Sequence, residues 1–345
     1  MEVVRLISNR GADINIRDAK YDTALHLAAI SGSADIIKLL LDKGMPVNLT
    51  TLGDFTPLHI SAEFGHLEAT LALVERGASI NSTNIFGVTP LLSAAYDGNL
   101  EIFRYLTEIG ADINICGDNK RTALHLAAES GSVEIIKLLL DKGISVNLAD
   151  RDEYTPLHIS ANFGHLEATK VLVEGGAALN KKNKLGITPL MLAVIENKLE
   201  IFLYLTEIGA DIHLRDKNNQ TVFHKAAKSG SVDIMKLLLD KGISVNSPNT
   251  HGYTPLHLSA QFGHLDATKI LVEKGADLNS TTIFGLTPLM SAAFNGASEI
   301  FRYLTERGAD IYIRGVGNIT VFHLAVVSGS VDIIKLLLDK GFLYT

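Results

Sequence analysis

The chain has 345 residues and a formal net charge of −7 at pH 7. Hydrophobic residues make up 47% of it and charged residues 20%, which is enough apolar material for a folded core. The acidic balance and the lack of any Lys/Arg run argue against nucleic acid as a partner, because phosphate binding needs a basic face. The same absence argues against an anionic membrane surface.

The cysteine content and the hydropathy of the sequence indicate in which cellular compartment the chain is found. The single cysteine, Cys116, excludes an intramolecular disulfide and suits a reducing compartment. Apolar runs such as IIKLLL at 36–41 are too short to span a bilayer. The first ten residues carry acidic and basic side chains, unlike a signal peptide. We therefore expect a cytoplasmic, intracellular chain without direct membrane insertion.

A residue pattern recurs every 33 residues along the chain. Threonine returns without insertion or deletion at Thr23, Thr56, Thr89, Thr122, Thr155, Thr188, Thr221, Thr254, Thr287 and Thr320. Glycine occupies a second column at Gly11, Gly44, Gly77, Gly110, Gly143, Gly176, Gly209, Gly242, Gly275, Gly308 and Gly341. A fixed period of this length indicates a repeat array, in which each unit packs only against its neighbours.

The first predicted helix of each unit begins at the threonine, as in TALHLAA at 23–29 and TPLHISA at 56–62. The hydroxyl caps a free backbone N–H, and a proline at the first helical position loses no hydrogen bond. Small residues such as Ala28 and Ala29 on one side let a neighbouring helix approach closely. The pattern predicts a short helix that is tightly packed.

A second helix is predicted after the break SGS at 31–33, in the segment ADIIKLLLDKG at 34–44. Its apolar stripe consists of Ile36, Ile37, Leu40 and Leu41. The glycine of the second column follows the last turn, where a left-handed backbone satisfies free carbonyls. Residues 45–55 are rich in turn formers and indicate an extended loop or β-hairpin.

These features together resemble the ankyrin repeat family. The resemblance rests on the 33-residue period, the T-P-L-H sequence, the Gly65-His66 junction, the apolar second helix and GADIN at 110–114. It implies an all-α solenoid of helix-turn-helix units with projecting β-hairpin loops, stacked in a curved array. Residues 1–345 then form a single solenoid, in which residues 1–18 supply a partial first repeat (second helix and loop) and residues 19–345 supply ten repeats.

A longer period of 99 residues is superimposed on the shorter one. SGSADIIKLLLDKG at 31–44 returns with few changes at 130–143, 229–242 and 328–341, so a block of three repeats is copied in tandem. The last copy keeps its full apolar stripe without polar substitution. Because terminal units of solenoids need a polar outer face, we expect the chain to associate through this uncapped C-terminal repeat.

One junction departs from the pattern. Glu196 and Asn197 replace the residue pair that carries the junction glycine in the other repeats. This departure weakens the expectation of uniform stacking. We expect locally reduced stability near residues 196–198.

The recurring histidines are predicted to be structural. The T-x-L-H histidines are His26, His59, His125, His158, His224, His257 and His323. Stacked helices pack roughly 8–10 Å apart, whereas zinc ligands must lie within roughly 4 Å of one another. The ankyrin resemblance implies instead that the Thr hydroxyl bonds the imidazole and that the other ring nitrogen reaches neighbouring backbone.

Two further groups of histidines lead to the same expectation. His66, His165 and His264 follow the junction glycine, where the family also has histidine. Residues 251–264 hold three histidines, of which His251 should sit on the hairpin and point elsewhere. We expect neither a metal site nor a cofactor.

Signatures of catalysis are missing from the sequence. It contains no phosphate-binding Gly-rich loop, no H-E-x-x-H and no G-x-S-x-G. Cys116 recurs in no other repeat and has no positioned base, which a nucleophilic thiol requires. We therefore expect no catalytic residue and no enzyme activity.

Partners of ankyrin repeats contact the hairpin tips and the exposed ends of the first helices, which together form the concave face. Apolar residues at these positions are Phe55, Phe64, Ile85, Phe86, Tyr96, Tyr154, Phe163, Tyr253, Phe262, Ile283, Phe284 and Phe294. Aromatic side chains commonly anchor protein interfaces, so we predict that these twelve residues bind a partner. An alternative stays open: tip aromatics could pack on a neighbouring hairpin, and the FGH phenylalanines could fill gaps between helices.

The leading functional hypothesis is a non-enzymatic protein–protein interaction scaffold. It would bind a protein or peptide segment of unknown identity along the concave face, since a mixed groove suits an extended polypeptide better than a small ligand. One alternative is an elastic or tethering segment of a larger protein. Another is an adaptor arm whose effector or catalytic domain lies outside these residues.

Overall fold

The computed structural model describes residue 14 and residues 16–341, and within these residues it contains twenty α-helices and no strand. The predicted partial first repeat at 1–18 lies mostly outside the described residues. The helices are α1 Ala24–Ile30, α2 Ala34–Asp42, α3 Pro57–Glu63, α4 Leu67–Glu75, α5 Pro90–Tyr96, α6 Leu100–Glu108, α7 Ala123–Ser130, α8 Val133–Asp141, α9 Pro156–Phe163, α10 Leu166–Glu174, α11 Pro189–Ile195, α12 Leu199–Glu207, α13 Val222–Ser229, α14 Val232–Asp240, α15 Pro255–Gln261, α16 Leu265–Glu273, α17 Pro288–Phe294, α18 Ser298–Glu306, α19 Val321–Val327 and α20 Val331–Asp339. We number the repeats 1 to 10 by their capping residues, Thr23 to Thr320.

The predicted link between threonine and histidine is confirmed at the start of the first helices. In repeat 2 the Thr56 hydroxyl lies 2.8 Å from Nδ1 of His59, and the Thr56 N–H donates to the same nitrogen at 3.1 Å. The hydroxyl also accepts the His59 N–H at 3.4 Å. Pro57 occupies the first helical position, where no N–H is needed. The T-P-L-H sequence therefore contains its own helix start.

The second ring nitrogen of four of these histidines, His26, His59, His125 and His257, bonds the loop that leads to the next repeat, as the family resemblance implied, whereas Nε2 of His224 has no such partner among the described residues. Nε2 of His59 lies 2.9 Å from the carbonyl oxygen of Val88 in the next loop. Nε2 of His257 lies 2.9 Å from the carbonyl oxygen of Leu286. Since Nδ1 accepts from the threonine N–H, Nε2 is the donor in these bonds.

The junction histidines bond the preceding repeat in a similar way. Nε2 of His66 lies 2.9 Å from the carbonyl oxygen of Ile30, and Nε2 of His264 lies 2.9 Å from that of Lys228. These carbonyls belong to the ends of first helices, where no backbone donor is available within the helix. The structural interpretation of these histidines is therefore confirmed.

The loops reverse direction like hairpins but form no strand among the described residues. In repeat 3 the N–H of Asn84 donates to the Val88 carbonyl at 3.0 Å across the tip. The N–H of Ile85 donates to the Gly53 carbonyl of the previous tip at 3.1 Å. A single bond between tips fixes their relative position but is too little for the ladder of a β-sheet.

The chain divides into two compact units, residues 1–160 with 165–178 and residues 161–164 with 179–345. Within each unit, first helices pack on first helices and second helices on second helices of the adjacent repeat. Leu58 and Leu73 are fully buried in the first unit, and Phe202 and Phe301 in the second. The predicted single solenoid over the entire chain stays a prediction. No helix in the described part of the chain is long and apolar enough to cross a bilayer.

Candidate partner-binding surface

Nine of the twelve residues predicted to bind a partner are exposed. They are Phe64, Ile85, Phe86, Tyr96, Phe163, Phe262, Ile283, Phe284 and Phe294. Their exposed fractions run from 44% at Phe163 to 59% at Ile283, which is high for large apolar side chains. These residues lie at hairpin tips and at the ends of first helices, where the sequence pattern placed them.

The other three, Phe55, Tyr154 and Tyr253, are half-buried because they pack on the histidine of their own repeat. The Tyr253 ring meets the His257 ring edge to face, with 5.6 Å between centroids and an interplanar angle of 68°. The Phe55–His59 and Tyr154–His158 rings adopt the same arrangement at 6.0 and 5.7 Å. These rings thus pack on their own repeat and not on a neighbouring hairpin, and partner binding by these three residues stays a prediction.

Exposed aromatic residues of the second unit border a hollow of about 480 Å³, which we call the apolar recess. Its lining consists of Tyr253 and Gln261 from repeat 8, Leu286, Phe284, Met290, Ser291 and Phe294 from repeat 9, and Val316, Ile319 and Leu324 from repeat 10. Met290 and Ser291 are buried, whereas Phe284 and Phe294 are about half exposed. The recess is therefore open to solvent, with aromatic rims and a closed floor.

Part of the apolar recess was not predicted from the sequence. Val316 and Ile319, on the tip of repeat 10, also line this hollow. The Val316 N–H donates to the Phe284 carbonyl at 2.8 Å, which holds these two tips together. A signal was present, because the same positions in repeat 4 hold Asp118 and Arg121. The last copy has thus replaced polar tip residues by apolar ones.

A second hollow of about 260 Å³, the polar recess, lies beside the first and shares Tyr253 and Gln261 with it. Its other lining residues are Asn218, Gln220, Lys228, Asn249, His251, Leu258 and Phe262. The Lys228 Nζ atom sits 4.9 Å from the centroid of the Phe262 ring. Lys228 is exposed and makes no ion pair with any residue that the structure describes.

The corresponding face of the first unit is charged. Burial, with a smaller contribution from the negative charge of Asp97, raises the pKa of Glu63 at the end of α3. Burial likewise raises the pKa of Asp97. Arg121 pairs with Glu129 at 2.6 Å. In the second unit the positions of Glu63 and Asp97 are taken by the uncharged Gln261 and Asn295.

The three histidines at 251–264 do not converge. His251 is exposed at a hairpin tip, His257 is fully buried and bonded to Thr254, and His264 bonds the Lys228 carbonyl. Over residues 16–341, no group of three or more His, Cys, Asp or Glu side chains is placed to hold a metal ion. Cys116 is exposed.

The C-terminal repeat exposes apolar side chains, but most of them lie outside the predicted stripe, in which Ile333 and Leu337 are fully buried and Leu338 is exposed. Val326, Val327, Val331 and Leu338 of α19 and α20 are all more than half exposed. Association of the chain through this repeat stays a prediction.

Comparisons with known proteins agree on one family. A family model described as ankyrin repeats (3 copies) matches residues 1–84, 79–150, 143–216 and 208–282, and one described as ankyrin repeats (many copies) matches residues 260–305. Among solved structures, the crystal structure of the human ASB11 ankyrin repeat domain is similar at 28% sequence identity and a TM-score of 0.58. That match covers 63% of this chain and 97% of the other. A search of curated proteins found no significant match.

Proposed function

The chain belongs to the ankyrin repeat family, and on that premise we propose that it is a non-enzymatic scaffold that binds an extended segment of a partner protein. Ankyrin repeats are in general protein–protein interaction modules and are typically non-catalytic. The segment would lie along the hairpin tips and the ends of the first helices. This placement follows from where the exposed aromatic residues are found.

The apolar recess is the observation that carries this proposal. Phe284 and Phe294 line this hollow, and each exposes about half of its surface to water. Exposed apolar patches with polar surroundings mark contact surfaces, because burial against a partner removes apolar area from water. Aromatic residues are also the usual energetic anchors of such contacts.

The experiment is a selection of binding peptides from a random dodecapeptide library on the immobilised full-length chain. Selected peptides are labelled, and their dissociation constants are measured by fluorescence anisotropy. Phe284→Ala with Phe294→Ala should weaken binding about tenfold or more, because two anchors are lost. Leu203→Ala, an exposed apolar residue on the second helix of repeat 6 and away from the tips, serves as the matched control and should leave affinity unchanged.

Two results contradict the proposal. One is a selection that enriches no peptide over the bare surface. The other is a set of peptides whose affinity is the same for wild type and for the double variant. Circular dichroism of both variants checks that a lost affinity does not come from unfolding.

A further inference from the structure

The two recesses of the second unit lie side by side and differ in chemistry. We propose that the segment bound there carries a bulky uncharged side chain in the apolar recess and a carboxylate that meets Lys228 in the polar recess. This inference rests on the proposed function and names the kind of partner that one part of the surface selects. Tyr253 and Gln261 form the shared wall between the two hollows.

The lining of the apolar recess selects against charge. No Asp, Glu, Lys or Arg lines it, and its only polar side chains besides the Tyr253 hydroxyl are Gln261 and Ser291. A charged group placed there would lose part of its hydration without gaining a counter-ion, which is unfavourable. Its volume of about 480 Å³ lies in the range of pockets that bury small ligands. A large aliphatic or aromatic side chain fits both conditions.

The comparison of equivalent repeats supports this choice of ligand. Repeat 4 carries Asp118 and Arg121 at positions where repeat 10, two 99-residue blocks later, carries Val316 and Ile319. Asp118 and Val316 begin the 3₁₀ turns Asp118–Lys120 and Val316–Asn318, and Arg121 and Ile319 directly follow these turns, so the local backbone is similar. This backbone therefore accepts either charged or apolar side chains, and the apolar pair is found in the repeat that lines the apolar recess.

The polar recess has the opposite preference. Lys228 is the only Lys, Arg, Asp or Glu in its lining, and the remaining polar side chains are amides, His251 and Tyr253. The Phe262 ring lies beneath the Lys228 ammonium at 4.9 Å, which limits where the charge can point. An exposed cation without a carboxylate partner favours an anionic side chain of the incoming segment. The amide groups of Asn218 and Gln220 can add donors to the same carboxylate.

The spacing of the two side chains follows from the repeat. The recesses are displaced by about one repeat, and stacked helices lie about 8–10 Å apart. A peptide in the extended polyproline II conformation advances about 3.1 Å per residue and presents every third side chain on the same face. The apolar and acidic side chains should therefore be about three residues apart in the bound segment.

The test uses methyl NMR of the full chain labelled at methionine. Met290 forms part of the floor of the apolar recess, and Met191 occupies the same position in repeat 6 but lines neither recess. The probes are the acetylated and amidated peptides Glu-Ser-Ser-Phe and Phe-Ser-Ser-Glu, because the direction of the segment is open. We expect at least one of them to shift the Met290 methyl signal saturably while that of Met191 stays in place.

Changes in the probe and in the protein separate the two contacts. Replacing Phe by Ala in the peptide should abolish the Met290 shift. Replacing Glu by Gln should weaken binding about three- to tenfold to the wild type and should make no difference to Lys228→Gln. Val316→Asp with Ile319→Arg, which installs the residues of repeat 4, should abolish binding while the Met191 signal reports an intact fold.

The inference is overturned if neither peptide shifts Met290, or if Glu and Gln peptides bind the wild type equally. It is also overturned if Val316→Asp with Ile319→Arg binds as the wild type does. Failure here differs from failure of the proposed function: library peptides that bind in a Phe284-dependent way would keep the scaffold and reject this chemistry. If neither the library nor the short peptides bind, the proposed function fails together with this inference.

Discussion

The Nζ atom of Lys225 lies 2.5 Å from Oδ2 of Asp216, and their side chains are only 9% and 3% exposed. Lys225 also donates to Oε1 of Gln220 at 2.7 Å. The second carboxylate oxygen of Asp216 accepts the N–H groups of Asn218 and Gln220 at 2.9 Å each. A nearly buried ion pair thus ties the hairpin tip of repeat 7 to helix α13.

Lys225→Leu should lower the free energy of unfolding by about 3 kcal/mol, because a buried carboxylate then lacks its counter-ion. Urea unfolding followed by circular dichroism measures the change. Repeats 6 and 8 suggest the compensating change, since they hold Asn183 with Leu192 and Asn249 with Leu258 at these positions. Asp216→Asn together with Lys225→Leu should therefore return to within about 1 kcal/mol of the wild type. A double variant as unstable as Lys225→Leu would contradict this account of the pair.

Stability should fall as the pH drops below about 6.5, because buried histidines resist protonation. Burial lowers the pKa of His59, His224 and His257 to about 4. The unfolded chain takes up these protons at its ordinary pKa of about 6.5, so the stabilisation is complete above that pH and is lost between about 6.5 and 4. At pH 5 each of these histidines should cost about 2 kcal/mol relative to pH 7.5. Urea midpoints measured at the two pH values check the sign and the size.

His257→Met provides the control for this pH dependence. Methionine already occupies this position in repeat 9, as Met290. The variant loses the bonds to Thr254 and to the Leu286 carbonyl, so it should be less stable at pH 7.5. Its difference between pH 7.5 and pH 5 should nevertheless shrink, since one titrating group is gone. An unchanged difference would mean that protonation acts elsewhere.

Local sequence spacing predicted the parts of this fold that form within one repeat. The three-residue separation of Thr56 and His59 places both side chains at one helix start, and the structure has the bonds that follow. Contacts between repeats were harder to predict, because they depend on how loops of adjacent units align. The Lys225–Asp216 pair was missed, although a lysine where Leu126 and Leu324 stand in equivalent repeats was a visible departure.

The sequence predicted which aromatic residues of the candidate site are exposed, but it did not predict that they line a hollow. Exposure of Phe284 and Phe294 follows from their places on a tip and at a helix end. That Val316 and Ile319 line the hollow depends on the bond between neighbouring tips, which no sequence pattern specifies. The half-buried state of Tyr253 has a similar origin, because it requires the ring to fold back on His257.

Asn197, at the junction between the two helices of repeat 6, is a position where a substitution by glycine should stabilise the fold. It has a φ of +51°, whereas the glycines at this position in repeats 3 and 9, Gly98 and Gly296, have φ values of +72° and +68°. A side chain is strained in this region, so Asn197→Gly should stabilise the chain by about 0.5 kcal/mol after the added entropy of the unfolded state. Asn197→Ala should destabilise it by about 1 kcal/mol.

Hydrogen exchange around residues 196–198 is the measurement for this pair of variants. Protection should rise in Asn197→Gly and fall in Asn197→Ala, since the strain is local to the junction between α11 and α12. Protection in the wild type that equals that of the glycine junctions would contradict both the strain and the reduced stability expected here.

Two aromatic residues of the apolar recess should respond differently to truncation. The Tyr253 ring packs against His257 and is less exposed than that of Phe284, which leaves half of its surface in water at the tip. Tyr253→Ala should therefore reduce the free energy of unfolding by about 1–2 kcal/mol and also weaken peptide binding. Phe284→Ala should change stability by less than about 0.5 kcal/mol while it weakens binding at least as much. Urea unfolding and anisotropy on the same samples separate the two roles, and equal destabilisation by both variants would mean that Phe284 is a packing residue and not a contact for a partner.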